Sequence, residues 1–196
     1  MPMSEQFSLS GFDEAPKTDR LFFAIFPDAA AAARIAQLAQ RLRSEHGLKA
    51  KPLAAERFHI TLHHLGDYTG LPQRVVAEAM RAAAAVAMPQ FELTFDRALS
   101  FRGKPGNRPF VLRGCDGLVT LAAFHRVLVA ALYKAGLAGG GEKSPYTPHV
   151  TLLYDDALVS ERPVETVTWT VREFVLVHSL LGRTVHVPLA RWPLSV

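Results

Sequence analysis

Residues 56–65 read ERFHITLHHL and residues 146–154 read YTPHVTLLY, so the chain carries one short motif twice. Both copies contain His, a β-branched residue, Thr and Leu in that order. Their histidines, His59 and His149, are 90 residues apart, and each copy follows a segment that contains a predicted helix. A motif that recurs in matching contexts indicates that one lobe of the fold is duplicated.

Each copy also has the alternation of a β-strand that is buried on one face. Side chains along a strand point to opposite faces in turn, so His59 and Thr61 share one face, as do His149 and Thr151. The apolar residues between them point to the core: Ile60, Leu62, Val150 and Leu152. An ideal strand would also place His63 on the face of His59. Two duplicated lobes that meet would surround one cleft with the four polar side chains of the motifs.

Two imidazoles and two hydroxyls suit acid–base chemistry at phosphorus. An imidazole titrates near pH ~6.5, so one ring can accept a proton while the other donates one. Hydroxyls can donate hydrogen bonds to phosphoryl oxygens and stabilise the charge that develops there. The pattern predicts His59 and His149 as the catalytic pair and Thr61 and Thr151 as phosphate ligands. It requires no metal and no other cofactor.

The rest of the sequence predicts an α+β fold. Apolar periodicity and breakers predict helices at 29–44, 71–88 and 118–135, and strands at 21–26, 57–65, 91–96, 110–112, 148–154, 170–180 and 184–191. Gly182 predicts a hairpin between the last two strands, and the run 139–141 predicts a flexible connector. Because the helices are few and the strands can pair antiparallel, α+β is the expected class.

Composition limits the partners and the cellular location that we expect. The 196 residues carry a net charge of +4, which is compatible with a polyanionic partner. The single cysteine, Cys115, excludes an intrachain disulfide and a cysteine-rich zinc site, and it favours a reducing, cytoplasmic location. No run of residues has the length and apolarity of a membrane helix. We expect a flexible arm at 1–18 and a single bilobal domain, monomeric and away from membranes, at 19–196.

At these residues the sequence resembles the two-histidine (2H) phosphoesterase superfamily. Within it, the chain is similar to the bacterial RNA 2',3'-cyclic phosphodiesterases, also called 2'-5' RNA ligase-like proteins. The resemblance covers nearly the whole chain after Arg20. It rests on the first strand, on both His-x-Thr-x motifs, on the lead-in from Pro145 to the second motif, and on the terminal hairpin at 182–193.

This resemblance implies a fold, a reaction and roles for the motif residues. The fold would be two pseudo-symmetric lobes, each an antiparallel sheet with helices on the outside, with the active cleft between them. The reaction would hydrolyse a terminal 2',3'-cyclic phosphate of RNA, such as that of tRNA halves, or of a nucleoside, to a 2'-phosphate. His59 would be the proton donor and His149 the proton acceptor.

Several points stay open at this level. Tyr146, Arg102 and Arg108 are candidates for substrate binding, through stacking on a base or contact with an RNA backbone. The roles of the other histidines are not assigned: His63, His64, His178 and His186. Alternative functions are a reversible 2'-5' RNA ligase, a small-molecule cyclic phosphodiesterase, and a non-catalytic RNA- or nucleotide-binding module.

Overall fold

The computed structural model describes residues 16–114, 118–137 and 145–196. The helices of this part of the chain are α1 (Ala29–Glu45), α2 (Gln73–Ala84) and α3 (Leu118–Lys134), together with one 3-10 turn at Ala55–Arg57. Its strands are β1 (Asp19–Ile25), β2 (Ile60–Tyr68), β3 (Phe91–Ser100), β4 (Arg108–Arg113), β5 (Val150–Asp155), β6 (Arg162–Val171), β7 (Glu173–Leu180) and β8 (Val185–Pro193). Cys115, the predicted connector at 139–141 and residues 1–15 of the predicted arm lie outside the described residues.

The strands form two antiparallel sheets of four strands each, in the orders β2-β1-β7-β8 and β5-β4-β3-β6. The same unit builds one half of each sheet: β1-α1-β2 in the first corresponds to β4-α3-β5 in the second. In both units the motif strand, β2 or β5, lies at the edge of its sheet. The predicted α+β class with two pseudo-symmetric lobes is confirmed.

The predicted strand at 170–180 is wrong, because the structure contains two strands there. β6 ends at Val171 and β7 begins at Glu173, and the two strands belong to different sheets. The chain therefore crosses from the second lobe to the first at Arg172. The alternation of Val167, Trp169 and Val171 continues β6 on one face, whereas the polar pair at 172–173 interrupts the alternation. That interruption is the signal for the crossing.

Local sequence accounts for the helix boundaries. The Asp28 carboxylate accepts a hydrogen bond from the Ala31 amide at 2.8 Å and caps α1. Gly47 follows the helix with a φ of 60°, a left-handed conformation that glycine adopts without a steric penalty. In α3 the apolar residues at helical spacing form one stripe that is fully buried: Leu121, Phe124, Leu128 and Leu132.

One apolar core extends beneath both sheets. It includes residues of the first sheet, such as Phe23, and of the second, such as Phe95. Phe174 belongs to this core, with its ring centroid 5.1 Å from that of Phe124 on α3 and 5.2 Å from that of Trp192 on β8. The helices also bridge the lobes, because α1 contacts β5 and β6 while α3 contacts β2 and β3. The two lobes therefore pack as one body.

Sheet hydrogen bonding includes Thr18, the last residue of the predicted arm. Its amide donates to the Tyr68 carbonyl, and its own carbonyl accepts from the Leu181 amide, both at 2.9 Å. The division into an arm at 1–18 and a domain at 19–196 stays a prediction. None of the helices in the described ranges is long and apolar enough to cross a membrane.

Replacing Phe174 with alanine tests whether the shared core holds the lobes together. The fully buried ring would leave a cavity, and such truncations cost about 3–5 kcal/mol of unfolding free energy. Urea denaturation measures the change. Tyr133→Ala is the control, because this side chain is 73% exposed and its loss should change the free energy by less than about 0.5 kcal/mol. A cost below about 1 kcal/mol for Phe174→Ala would contradict the packing described.

Candidate active site

Both motif strands are bulged at the same position. In the first sheet Thr61 pairs with Ala24 and His63 pairs with Phe23, so Leu62 has no partner opposite it. The second sheet shows the same shift around Leu152. A bulge inserts one extra residue into a strand and reverses the faces of those that follow. The duplicated bulge supports the lobe symmetry beyond the motif itself.

The bulges change which side chains face the cleft. The expectation that His63 shares a face with His59 is wrong, because His63 is only 6% exposed and lies on the core side of the bulge. His64 lines the cleft instead, and Tyr154, at the corresponding place in the second motif, also lines it. Each motif therefore contributes a histidine, a threonine and one further aromatic side chain to the same space.

A cleft of about 490 Å³ lies between the lobes, and all four motif side chains line it. The first lobe provides His59 and Thr61, and the second provides His149 and Thr151. The turn between β7 and β8 contributes a further side of the cleft. The structure therefore brings together the two distant segments that the repeated motif singled out.

The two imidazoles are oriented by equivalent hydrogen bonds. Nδ1 of His59 lies 2.7 Å from the Arg57 carbonyl oxygen, and Nδ1 of His149 lies 2.8 Å from the Thr147 carbonyl oxygen. A carbonyl oxygen only accepts hydrogen bonds, so each Nδ1 carries the hydrogen. Nε2 of each ring is then left as the atom that can gain or lose a proton. The same tautomer serves an acid and a base.

Burial controls the protonation of both rings. It is the main cause that lowers the pKa of His59 to about 4; nearby His186, His149 and Arg57 add to this, against the hydrogen bond to the Arg57 carbonyl. Burial also lowers the pKa of His149, and the charge of Arg113 contributes. Both imidazoles are therefore neutral at pH 7 when no anion is bound.

Hydrogen bonds between the lobes fix the distance across the cleft. The Leu53 amide, just before the first motif, donates to the Leu152 carbonyl of the second motif at 2.7 Å. In the other direction the Tyr146 hydroxyl, just before the second motif, donates to the Thr61 carbonyl at 3.3 Å. Each lead-in segment thus contacts the motif strand of the opposite lobe.

Asp155, at the end of β5, strengthens this connection. One of its carboxylate oxygens accepts hydrogen bonds from the amides of Lys49 and Ala50, each at 2.8 Å. These bonds, with a third from the Ala157 amide, lower the pKa of the carboxyl group. The segment that leads from α1 to the first motif is therefore held by the strand of the second motif.

The first-lobe wall of the cleft carries an ion-paired cluster. The Arg20 guanidinium donates two hydrogen bonds of 2.7 Å to the two carboxylate oxygens of Asp67. Nε2 of His64 lies 2.9 Å from the same carboxylate. Arg20 is the main cause that holds the pKa of Asp67 well below its usual range, with His64 contributing. The positive charge of Arg20 is thus already balanced.

Sequence reasoning missed several residues of the cleft. His186 lines it, with its ring centroid 5.3 Å from that of His59, and Arg57 lines it as well. Tyr154 could have been found by extending the comparison of the two motifs, since it corresponds to His64. His186 lies on β8, which neighbours β7 and not the motif strand, so no sequence signal placed it beside His59.

The other candidates lie elsewhere. Tyr146, Arg102 and Arg108 are not among the side chains that line the cleft. The Tyr146 ring stacks on that of His125 with centroids 3.8 Å apart, and Arg108 donates to the Asp156 carbonyl. His178 hydrogen-bonds to Asp19, outside the cleft lining. The proposed substrate contacts of the first three residues stay predictions.

The structure does not test the expectation that the reaction needs no metal. No group of three or more His, Cys, Asp or Glu side chains that could hold a metal ion occurs within 16–114, 118–137 and 145–196. The expectation of a metal-independent reaction therefore stays a prediction.

Comparisons with known proteins agree with this geometry. The sequence model of the 2'-5' RNA ligase superfamily matches residues 7–183. The chain is 30% identical over 190 residues to an RNA 2',3'-cyclic phosphodiesterase of Escherichia coli (strain K12), covering 90% of this chain and 97% of the relative. A crystal structure of a phosphoesterase matches with a TM-score of 0.69 and 28% identity, and it covers 92% of this chain and 100% of its own.

A second solved structure is similar and holds a nucleotide. The crystal structure of Escherichia coli LigT complexed with 3'-AMP matches with a TM-score of 0.67 and 27% identity. The match covers 92% of this chain and 100% of the LigT chain. The likeness therefore includes both lobes and the cleft between them.

The lowered pKa values can be measured by NMR titration of the free protein. We expect the ring signals of His59 to titrate near pH 4 and those of His149 below pH 6.5, because burial disfavours both imidazolium ions. The same residues in the urea-unfolded chain should titrate near pH ~6.5. Saturating inorganic phosphate should raise both values, since an anion in the cleft favours the charged rings. Folded-state values of 6.5 or above for both would contradict the burial of the pair.

Proposed function

Because the chain belongs to the 2'-5' RNA ligase superfamily of two-histidine phosphoesterases, we propose that it hydrolyses 2',3'-cyclic phosphates at RNA ends or on nucleosides and releases 2'-phosphates. The observation that carries the proposal is the cleft itself. Two imidazoles from opposite lobes, each with Nε2 free to exchange a proton, line it together with two threonines. The name of the Escherichia coli relative supports the substrate class.

The proposed reaction is a displacement at phosphorus that uses water. Neutral His149 accepts a proton from water through Nε2 as the water oxygen attacks the phosphorus. The bond from phosphorus to the 3'-oxygen breaks, and protonated His59 gives its Nε2 proton to that oxygen. The hydroxyls of Thr61 and Thr151 donate to the non-bridging oxygens, where negative charge accumulates. A pseudo-symmetric cleft suits this chemistry because it supplies an acid and a base from opposite lobes.

The substrate's own charge makes the proton donor available. A pKa of about 4 for His59 disfavours its protonation by about 3 kcal/mol relative to an ordinary histidine. An anion about 4 Å from the ring contributes about 4 kcal/mol at an effective dielectric constant of about 20. A cyclic phosphate between the rings therefore supplies enough energy to protonate one of them.

Ligation of two RNA ends would use the same groups. If the 5'-hydroxyl of a second RNA end replaces water as the nucleophile, the cleft joins the two ends through a 2'-5' linkage. The superfamily is named after this activity. Hydrolysis is the proposal for this chain because the Escherichia coli relative that covers nearly its whole length is a phosphodiesterase.

A turnover assay tests the proposal against a module that only binds nucleotides. The purified protein, in the presence of a chelator, should convert a nucleoside 2',3'-cyclic phosphate to the 2'-phosphate. His59→Ala and His149→Ala should each lower kcat/KM by about 10²–10⁴-fold, the usual contribution of a general acid or base. Chromatography against standards of the 2'- and 3'-phosphates identifies the product.

His46→Ala is the matched control, because His46 lies outside the cleft lining and should leave turnover unchanged. Near-normal turnover by either His59→Ala or His149→Ala would overturn the mechanism. Binding of the cyclic phosphate without turnover by the unmodified protein would support the binding module instead.

A substrate with sulfur in place of the 3'-oxygen separates acid from base. A thiolate leaves without a proton because thiols are far more acidic than alcohols. His59→Ala should therefore regain at least about 10-fold of its lost kcat/KM on the sulfur substrate, since the missing acid contributes about 10²–10⁴-fold. His149→Ala should remain as impaired as on the oxygen substrate, because attack by water still needs the base. Recovery by His149→Ala alone would reverse the two roles.

A further inference from the structure

A second cavity adjoins the cleft. It has a volume of about 480 Å³ and shares three of its lining residues, Arg57, Thr184 and His186, with the cleft. These residues form the boundary between the two spaces. Phe26 and Arg191 lie on the far side of this boundary and line the second cavity alone. A ligand held between the catalytic histidines can therefore continue past Arg57 into this space.

Among the residues that the structure describes, the Arg57 side chain has no hydrogen-bond or ion-pair partner at this boundary. Its Nε is buried and has no hydrogen-bond partner in the part of the chain that the structure describes. No ion pair joins its guanidinium to a carboxylate of the described residues either. Arg20, the other arginine of the cleft lining, is paired with Asp67. A partly buried charge left unpaired is unfavourable, so Arg57 is ready to receive an anion.

The electrostatics of the boundary also favour an anion. Arg57, His59 and His186 all line the cleft, and the charge of Arg57 lowers the pKa of both imidazoles. Around the second cavity, Arg191 is paired with Glu173, and Glu56 is the acidic side chain among the lining residues. The local balance near the imidazoles is therefore positive, and the backbone carbonyl of Arg57 already positions His59.

We propose, resting on the function proposed above, that Arg57 binds a second phosphate of the substrate, carried on the 5'-oxygen of the ribose that bears the cyclic phosphate. The planar guanidinium matches phosphate oxygens in a two-point hydrogen-bonded geometry. The second cavity then holds whatever extends beyond that phosphate. In an RNA end this phosphate is the phosphodiester to the preceding nucleotide. In a small dinucleotide it is the pyrophosphate, so both sources share one chemistry.

Four substrates test this assignment. They are a nucleoside 2',3'-cyclic phosphate, the same molecule with a 5'-phosphate, the dinucleotide that ends in the cyclic phosphate, and a 5'-pyrophosphate-linked analogue. The unmodified protein should show about 10-fold higher kcat/KM for the substrates with a second phosphate, the scale of one charge-assisted hydrogen bond. Arg57→Gln should reduce this advantage to less than about 3-fold, and Arg57→Lys should retain part of it.

Arg41→Gln is the matched control, because it makes the same change of net charge on α1, where Arg41 pairs with Glu165 away from the cleft. It should keep the full advantage. A larger gain for the dinucleotide than for the pyrophosphate analogue identifies RNA as the occupant of the second cavity, and the reverse identifies a small dinucleotide. Equal losses on all four substrates in Arg57→Gln, or no advantage in the unmodified protein, would overturn the proposal.

Binding measurements keep the two proposals separate. If no cyclic phosphate is turned over, the proposed function fails, and calorimetry then compares a nucleoside 2'-phosphate with the 2',5'-bisphosphate. Tighter binding of the bisphosphate that Arg57→Gln abolishes would still support the second phosphate site. Equal affinity of the two ligands for the unmodified protein would exclude it. Thermal unfolding of each variant shows whether a loss reflects the fold.

Discussion

The apolar core shared by the two lobes is the constraint on which the cleft depends. Neither motif strand contains the whole proposed site, so the proposed chemistry requires β2 and β5 to keep their separation. The core lies beneath both sheets, and α1 and α3 each contact strands of the opposite lobe. Hydrogen bonds such as that from Leu53 to Leu152 then set the distance locally. Apolar packing provides most of the stabilisation of the two lobes, and the hydrogen bonds between them fix how the motif strands are aligned.

Within that frame, the motif orients its own imidazole. Each imidazole donates from Nδ1 to the carbonyl two residues upstream, which needs only local backbone geometry. The bulge after each threonine then turns the following residues over. As a result His64 and Tyr154 join the cleft while His63 enters the core side. Both lobes therefore orient their histidine through the same local geometry.

Burial and charge pairing together determine the electrostatics of the cleft. Burial makes both histidines poor cations while the cleft is empty, and Arg57 has no carboxylate partner among the described residues. A bound phosphate would favour protonation of one imidazole and would balance the charge of Arg57. Arg20 differs, since its charge is already neutralised by Asp67. The distribution of paired and unpaired charge thus distinguishes structural cations from those available to a substrate.

Properties that depend on near neighbours could be read from the chain alone. Strand periodicity places His59 and Thr61 on the same face, and helix periodicity gives α3 its apolar stripe. The residue type at position 28 suits a helix cap, and Asp28 caps α1. Tertiary structure alone decided three other features. It placed His186 beside His59 and Arg57 at the boundary of two cavities. It also placed β6 and β7 in separate sheets. Bulges and pairing between distant strands are settled by packing over the whole core, and no local pattern encodes them.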